Sequence, residues 1–306
     1  MSSGLSSNNQ EGRVAVNFGE HCLVESEQGE LVTCHAPRNL GRPVCGDRVR
    51  WIPASVSSQG ILSEILPRTN QLQRHDVRAR SRTLAANLDL MLVVLAATPA
   101  PELALIDRYL VAAELLKLKA CLVFNKADLL SADDLKHWRT KLAPYEQLDY
   151  RLIFTSLKAE AGIVEIRALL EGLTGIVVGQ SGVGKSTLVS TLVPDLALRT
   201  QQLSEASGTG QHTTSTTRLY RLPDVPGCII DSPGVRDFRL WSLTRQELAA
   251  GFREFRTAQA QCRFQDCRHL QEPDCEIRAR VKSGAISAQR YASYCQLAEW
   301  MGKDPV

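Results

Sequence analysis

Between residues 12 and 66, apolar and polar positions alternate in short runs, and each run begins or ends beside a glycine. The runs at 12–18, 29–34, 46–51 and 59–66 carry the period of two expected of half-buried strands. Four or five short strands in about sixty residues predict a small barrel or sandwich; an OB barrel and an SH3-like barrel fit the pattern equally well. From Leu88 the texture changes. Continuous apolar runs at 88–97, 120–124, 152–154, 175–178, 219–222 and 228–230 are separated by helical patterns, as in a parallel sheet covered by helices. In 101–118 the apolar residues Leu103, Ile106, Leu110 and Leu118 fall roughly on one helical face. In 131–142 a serine N-cap is followed by two acids in the first turn. Beyond about Leu243 the pattern is helical again, interrupted by a run of cysteines and a histidine.

The expected organisation is therefore multidomain: a tail over 1–10, a barrel over 11–70, a basic linker over 71–85, an α/β domain over 86–240 and a mostly helical region over 241–306. Composition changes little. Of 306 residues, 44% are hydrophobic and 23% charged, ordinary values for a chain with a real core. A net charge of +3 is too mild to require a nucleic-acid partner, but it leaves room for local basic patches. The most basic stretch sets Arg68, Arg74, Arg78, Arg80 and Arg82 against Asp76, and fits a solvated linker as well as a phosphate-contacting segment. No run of about eighteen apolar residues exists, so no membrane partner is expected. The Ser/Asn-rich start lacks an export signal's apolar core, which predicts a cytoplasmic protein with reduced cysteines.

Gly179, Gln180, Ser181, Gly182, Val183, Gly184, Lys185 and Ser186 spell G-x-x-x-x-G-K-S between a predicted strand and a predicted helix that continues with Thr187. Glycines allow backbone N–H groups to curl around phosphates, and the helix N-terminus adds its positive end. Lys185 can then reach the β- and γ-phosphates, and the Ser186 hydroxyl can bind Mg²⁺. Asp231 ends another apolar strand, where it can hold Mg²⁺ through water, and Gly234 can donate its N–H to the γ-phosphate. Asn125, Lys126 and Asp128, in an N-K-x-D sequence after the 120–124 strand, form a guanine-reading set. A carboxylate at Asp128 accepts from both N1–H and the exocyclic amine of guanine, a donor pair adenine lacks. Lys126 can lay its stem over the base, and Asn125 can tie the base loop to the phosphate loop. Ser156, after the next strand, places a backbone N–H near guanine O6.

Cys262, Cys267, His269 and Cys275 follow the spacing C-x4-C-x-H-x5-C. A Cys₃His set suits one tetrahedral zinc per chain, closed to water and therefore structural. The spacing is not that of a DNA-reading finger. After it, Arg278, Arg280, Lys282, Arg290, Tyr291 and Tyr294 mix basic and aromatic residues on a helix, a composition suited to rRNA contact and equally to a packed, solvated helix.

Ordinary GTPases carry the phosphate loop first and the base loops last. Here the base loops precede the phosphate loop, the threonine-rich segment 210–217 and Asp231. In this order, and in its barrel and Cys/His cluster, the chain from 12 to 300 resembles the circularly permuted GTPases of the RsgA (YjeQ) family. The resemblance implies an OB-type N-terminal barrel, a permuted P-loop GTPase domain and a C-terminal zinc domain. It also implies a monomer that acts late in maturation of the 30S ribosomal subunit on 16S rRNA, with GTP hydrolysis stimulated by the subunit. Val235 stands where Ras-type enzymes place their water-orienting glutamine. The resemblance passes that role to His212, with a switch or RNA-contacting role as the alternative. It gives Thr213 or Thr214 the contact to Mg²⁺ and the γ-phosphate, and Ser215 departs mildly from the family's threonine run.

Overall fold

The computed structural model describes residues 9–53, 59–75, 81–157, 161–194, 196, 216–232 and 243–303. Five strands close the N-terminal barrel: β1 (Gln10–Asn17), β2 (His21–Ser26), β3 (Leu31–His35), β4 (Arg48–Pro53) and β5 (Gln59–Ile65). Their order is β1-β2-β3-β5-β4, with β4 returning to β1 and β3 running parallel to β5. This closed Greek-key order is the OB arrangement, the choice that alternation left open. Val14, Cys22, Val24, Cys34, Val49, Trp51 and Leu62 fill the interior.

Strand β2 is absent from the alternating pattern for a physical reason. Cys22 and Val24 belong to the barrel core, while Leu23 belongs to a second core shared with the α/β sheet. A strand buried on both faces has no polar side to alternate with. The same holds in β1, where Val14 belongs to the barrel core and, across a bulge, Val16 joins the shared core.

The stretch expected as a basic linker is paired structure. β6 (Gln71–His75) and β7 (Ser81–Ala86) form an antiparallel hairpin, with Leu72 and Ala85 buried in the core that also holds Leu88 and Met91. Arg68, just ahead of it, donates from Nε and Nη2 to the two carboxylate oxygens of fully buried Asp47, at 2.7 and 2.8 Å. This arginine is thus committed to the fold. Arg78 and Arg80 lie outside the described residues, as do residues 1–8 of the tail expected over 1–10, whose last residue, Gln10, instead opens β1.

The α/β domain runs β8 (Leu90–Ala96), α1 (Leu103–Leu115), β9 (Lys119–Asn125), α2 (Ala132–Glu146), β10 (Arg151–Phe154), α3 (Ile163–Leu170), β11 (Thr174–Val178), α4 (Lys185–Leu192), β12 (Arg218–Arg221) and β13 (Cys228–Asp231). The sheet order is β10-β9-β8-β11-β13-β12; the first five are parallel and β12 is antiparallel to β13. α2 starts where its cap predicts, with the Ser131 hydroxyl accepting from Asp134 N–H at 3.1 Å. Parallel strands end at one edge, so the C-terminal ends of β9, β11 and β13 lie together. On its other side β12 meets β1 through a bridge between Arg218 and Val16, which joins barrel and sheet into one eleven-stranded system.

The C-terminal region contains α5 (Arg245–Ala250), α6 (Arg256–Gln259), α7 (Glu276–Lys282) and α8 (Ala288–Lys303). Thr244 opens α5 with a capping box to Glu247. The region packs on α1, whose Val111 lies in one core with Leu248, Phe252, Phe255, Tyr294 and Leu297. Arg290 on α8 is fully buried and donates to Asp107 of α1 at 2.5 Å and to Glu254 at 2.8 Å. Its guanidinium also lies over the Phe252 ring, 4.6 Å from the centroid. Of the basic and aromatic residues read as suited to rRNA, Arg290 and Tyr294 are therefore interior, while Lys282 is exposed and Arg278 and Arg280 are half-buried.

Candidate functional site

β11 is buried along its whole length and delivers the chain to Gly179 at the loop edge of the sheet. Gly179, Gly182 and Gly184 have φ of +139°, +82° and +98°, values that side chains rarely adopt. A Cβ on Gly179 would lie 2.2 Å from the Val94 carbonyl oxygen, and one on Gly184 would lie 2.2 Å from Asn125 Nδ2. Glycine is required at both positions by conformation and by space. Val183 is fully buried and anchors the loop in the shared core, while Ser181, Gly182, Ser186 and Thr187 remain exposed around it. Lys185 Nζ donates to the carbonyls of Gly179 and Gln180 at 2.8 and 2.5 Å. The ammonium is thereby held over its own loop.

The base-reading loop stands against this one. Asn125 is 3% exposed, and its Nδ2 donates to the Val183 carbonyl at 2.8 Å, across 58 positions of sequence. Lys126 adopts φ +61° and donates from Nζ to Gly182 at 2.8 Å and Thr98 at 3.2 Å. Asp128 sits exposed in the turn Ala127–Leu129. Ser156 is buried and bridges to Ala161, while the preceding Thr155 donates its N–H to Phe124 and accepts from Ala127 N–H. Thr98 and Pro99 were not singled out as site residues. Their signal is the Thr98-Pro99-Ala100-Pro101 run directly after β8, a proline-rich turn at the same edge as the phosphate loop.

Asp231 ends β13 in register with Val177 of β11, one residue short of the strand end that feeds the phosphate loop. Ser232, next to it, is 2% exposed and its hydroxyl lies 2.9 Å from that of Thr217. His212, Thr213, Thr214 and Gly234 lie outside the described residues.

The Cys/His set converges in the C-terminal region. The ligand atoms of Cys262, Cys267, His269 and Cys275 all lie within 4.8 Å of one another. The sulfurs of Cys262 and Cys275 are each 3.6 Å from His269 Nδ1. A tetrahedral zinc with bonds of about 2.3 Å to sulfur and about 2.0 Å to nitrogen holds such a pair about 3.5 Å apart. Burial lowers the pKa of His269, keeping the imidazole in its neutral, ligating form. Burial also pushes the Cys267 thiol up to about 12 and raises that of Cys275, so a cation is needed to hold them as thiolates. The donor set fits a zinc-like ion. Outside it, Glu272 accepts N–H bonds from Arg268, Leu270 and Gln271, and Tyr291 and Tyr294 donate to the carbonyls of His269 and Arg268. Helix α8 is tied to the metal loop by these two phenols.

A phosphate loop leaving a buried strand, met by a base loop that precedes it in the chain, is the arrangement of a circularly permuted P-loop GTPase. The family profile described as RsgA GTPase matches residues 65–241. The "Small ribosomal subunit biogenesis GTPase RsgA 1" of Vibrio vulnificus (strain YJ016) is 41% identical over 297 residues, spanning 96% of this chain and 84% of that protein. The corresponding RsgA of Haemophilus influenzae (strain PittGG) is 40% identical over 293 residues, 95% of this chain and 84% of its own. Among solved structures, YjeQ from Thermotoga maritima superposes with a TM-score of 0.79 at 31% identity, covering 96% of this chain and 99% of that one. YloQ, a circularly permuted GTPase, shares the fold over the full length of both chains, with a TM-score of 0.76 at 23% identity. The chain belongs to the RsgA GTPase family.

Proposed function

We propose that the chain hydrolyses GTP on the small (30S) ribosomal subunit late in its maturation. In this reading the subunit accelerates hydrolysis, and hydrolysis drives release or a conformational switch. The observation that carries the nucleotide reading is the hydrogen bond from Asn125 to Val183, which locks a guanine-type base loop onto a phosphate loop. The names of the relatives support the ribosomal assignment.

The backbone of Gly179–Ser186 and Thr187 cradles the phosphates, and Lys185 exchanges the Gly179 and Gln180 carbonyls for β- and γ-phosphate oxygens. Asp128 accepts from guanine N1–H and N2–H, Lys126 covers the base and Ser156 N–H meets O6. Ser186, Asp231 and Thr213 or Thr214 would hold Mg²⁺, which when bound would neutralise charge on the phosphate oxygens. Gly234 N–H meets the γ-phosphate, and His212 positions the attacking water. Cys262, Cys267, His269 and Cys275 hold one structural zinc. The chain acts as a cytoplasmic monomer in contact with 16S rRNA. Among the described residues no helix is long and apolar enough to cross a membrane.

GTP hydrolysis measured with and without purified 30S subunits tests the reading, with Lys185→Ala as the loss-of-binding control. Asp128→Asn should weaken guanine nucleotides on the order of a hundredfold, because two charge-assisted bonds are lost. The same variant should gain xanthine nucleotides, whose 2-oxo group accepts from the new amide. Absence of stimulation by 30S subunits sinks the ribosomal assignment. An Asp128→Asn variant with unchanged guanine preference sinks the base-site assignment.

A further inference from the structure

β12 and β13 pair Arg218 with Asp231, so the next rung of this antiparallel ladder sets Thr217 opposite Ser232. On that rung the two side-chain hydroxyls meet at 2.9 Å, Thr217 half-buried and Ser232 2% exposed. Cross-strand hydroxyl pairs stabilise a ladder modestly, but the position of this one gives it a second consequence. Thr217 is the last residue of the threonine segment that follows His212, and Ser232 stands between Asp231 and Pro233-Gly234. In sequence, this rung is the last described position before Pro233-Gly234 on one strand and lies two residues after Ser215 on the other. One residue away, Arg218 is bridged to Val16 of the barrel, so the rung is backed on its far side by β1.

We propose that the Thr217–Ser232 hydroxyl pair is a positioning clasp for GTP hydrolysis, fixing the threonine segment and the Asp231 segment in one register at the γ-phosphate edge. The inference rests on the GTPase reading of the site. Neither hydroxyl need touch the nucleotide. Each acts by setting where the other segment begins, so loss of either should slow hydrolysis and leave the base and phosphate loops, built on β9 and β11, to bind GDP as before.

The test is a double-mutant cycle on the full chain with Ser232→Ala, Thr217→Val and the pair, measuring kcat and KM for GTP and the Kd for GDP. Each single variant should lower kcat about tenfold, with GDP affinity within about twofold of the parent. The double variant should be no slower than the slower single one, because the second substitution removes a bond already lost. Ser232→Thr keeps a hydroxyl and should retain the parent rate; it keeps the test readable if the alanine variant folds poorly. Unchanged kcat in the single variants, a parallel loss of GDP affinity, or multiplied losses in the double variant would each overturn the clasp. If the unsubstituted chain bound no guanine nucleotide, the underlying reading of the site would fall instead.

Discussion

Where the α/β sheet meets the barrel, much of the contact lies at the rim. One backbone bridge joins Val16 to Arg218, Arg13 donates to the Thr174 hydroxyl at 2.8 Å, and Arg221 pairs with Glu25 at 3.1 Å with its side chain 45% exposed. A cleft of about 440 Å³ opens there between Arg13, Glu25, Thr174 and Gly227, away from the phosphate loop. Where the sheet's helix α1 meets the C-terminal region, the central polar contact is shut away from water. Arg290 and Asp107 are fully buried, and only at the edge does Glu114, 8% exposed in its side chain, take Arg253 and the half-exposed Arg256 at 2.6 Å. Rim pairs exchange with water at little cost, whereas a buried charge that loses its partner is stranded. Separating the C-terminal region from the α/β domain would therefore strand buried charge at Arg290, a cost the rim pairs on the barrel side do not carry.

The contrast can be broken most forcefully at the proposed zinc site. A strong chelator, by stripping an ion held there, would remove binding free energy on the order of 10 kcal/mol. Because Tyr291 and Tyr294 hold α8 to the metal loop, hydrogen exchange should then show lost protection across 243–303 while 10–65 stays protected. Equal loss in both would erase the distinction. Arg290→Met comes next. It leaves Asp107 and Glu254 facing each other without a cation, and urea denaturation should register a loss of about 3–5 kcal/mol. The smallest effect belongs to the barrel side. Arg13→Ala should cost about 1 kcal/mol by the same measurement, the value of one hydrogen bond at a half-open surface. If Arg13→Ala matched Arg290→Met, the two junctions would not differ as described.

What could be read in advance follows the same division between local and distant causes. The phosphate loop and Asn125–Asp128 were legible because their chemistry lies in contiguous residues at fixed spacing. The Ser131 cap was legible for the same reason. β2 escaped because both its faces are covered, one by the barrel and one by the α/β domain, and no local pattern records a neighbour that arrives two hundred residues later. The pairing of 71–75 with 81–86 was hidden by arginines on strands whose buried positions, among the described residues, are Leu72, Ala85 and Ala86. Arg290 was misplaced because a lone arginine on a helix reads as surface until its two acids, 183 and 36 positions away, are brought beside it. The Thr217–Ser232 pair had no signature beyond two ordinary hydroxyls.

The bridge between Val16 and Arg218 bears on how this chain can be divided. Cut away the first 86 residues, and β12 becomes the outer strand of an open sheet, its backbone groups facing solvent. Tyr220 and Leu222 would lose the cover of Ala15, Val16 and Leu23 that they now share. A GTPase fragment trimmed at its apparent boundary would thus carry a sticky seam beside its own nucleotide edge. Such a fragment would tend to pair with copies of itself, and any rate measured on it would belong to the aggregate as much as to the enzyme.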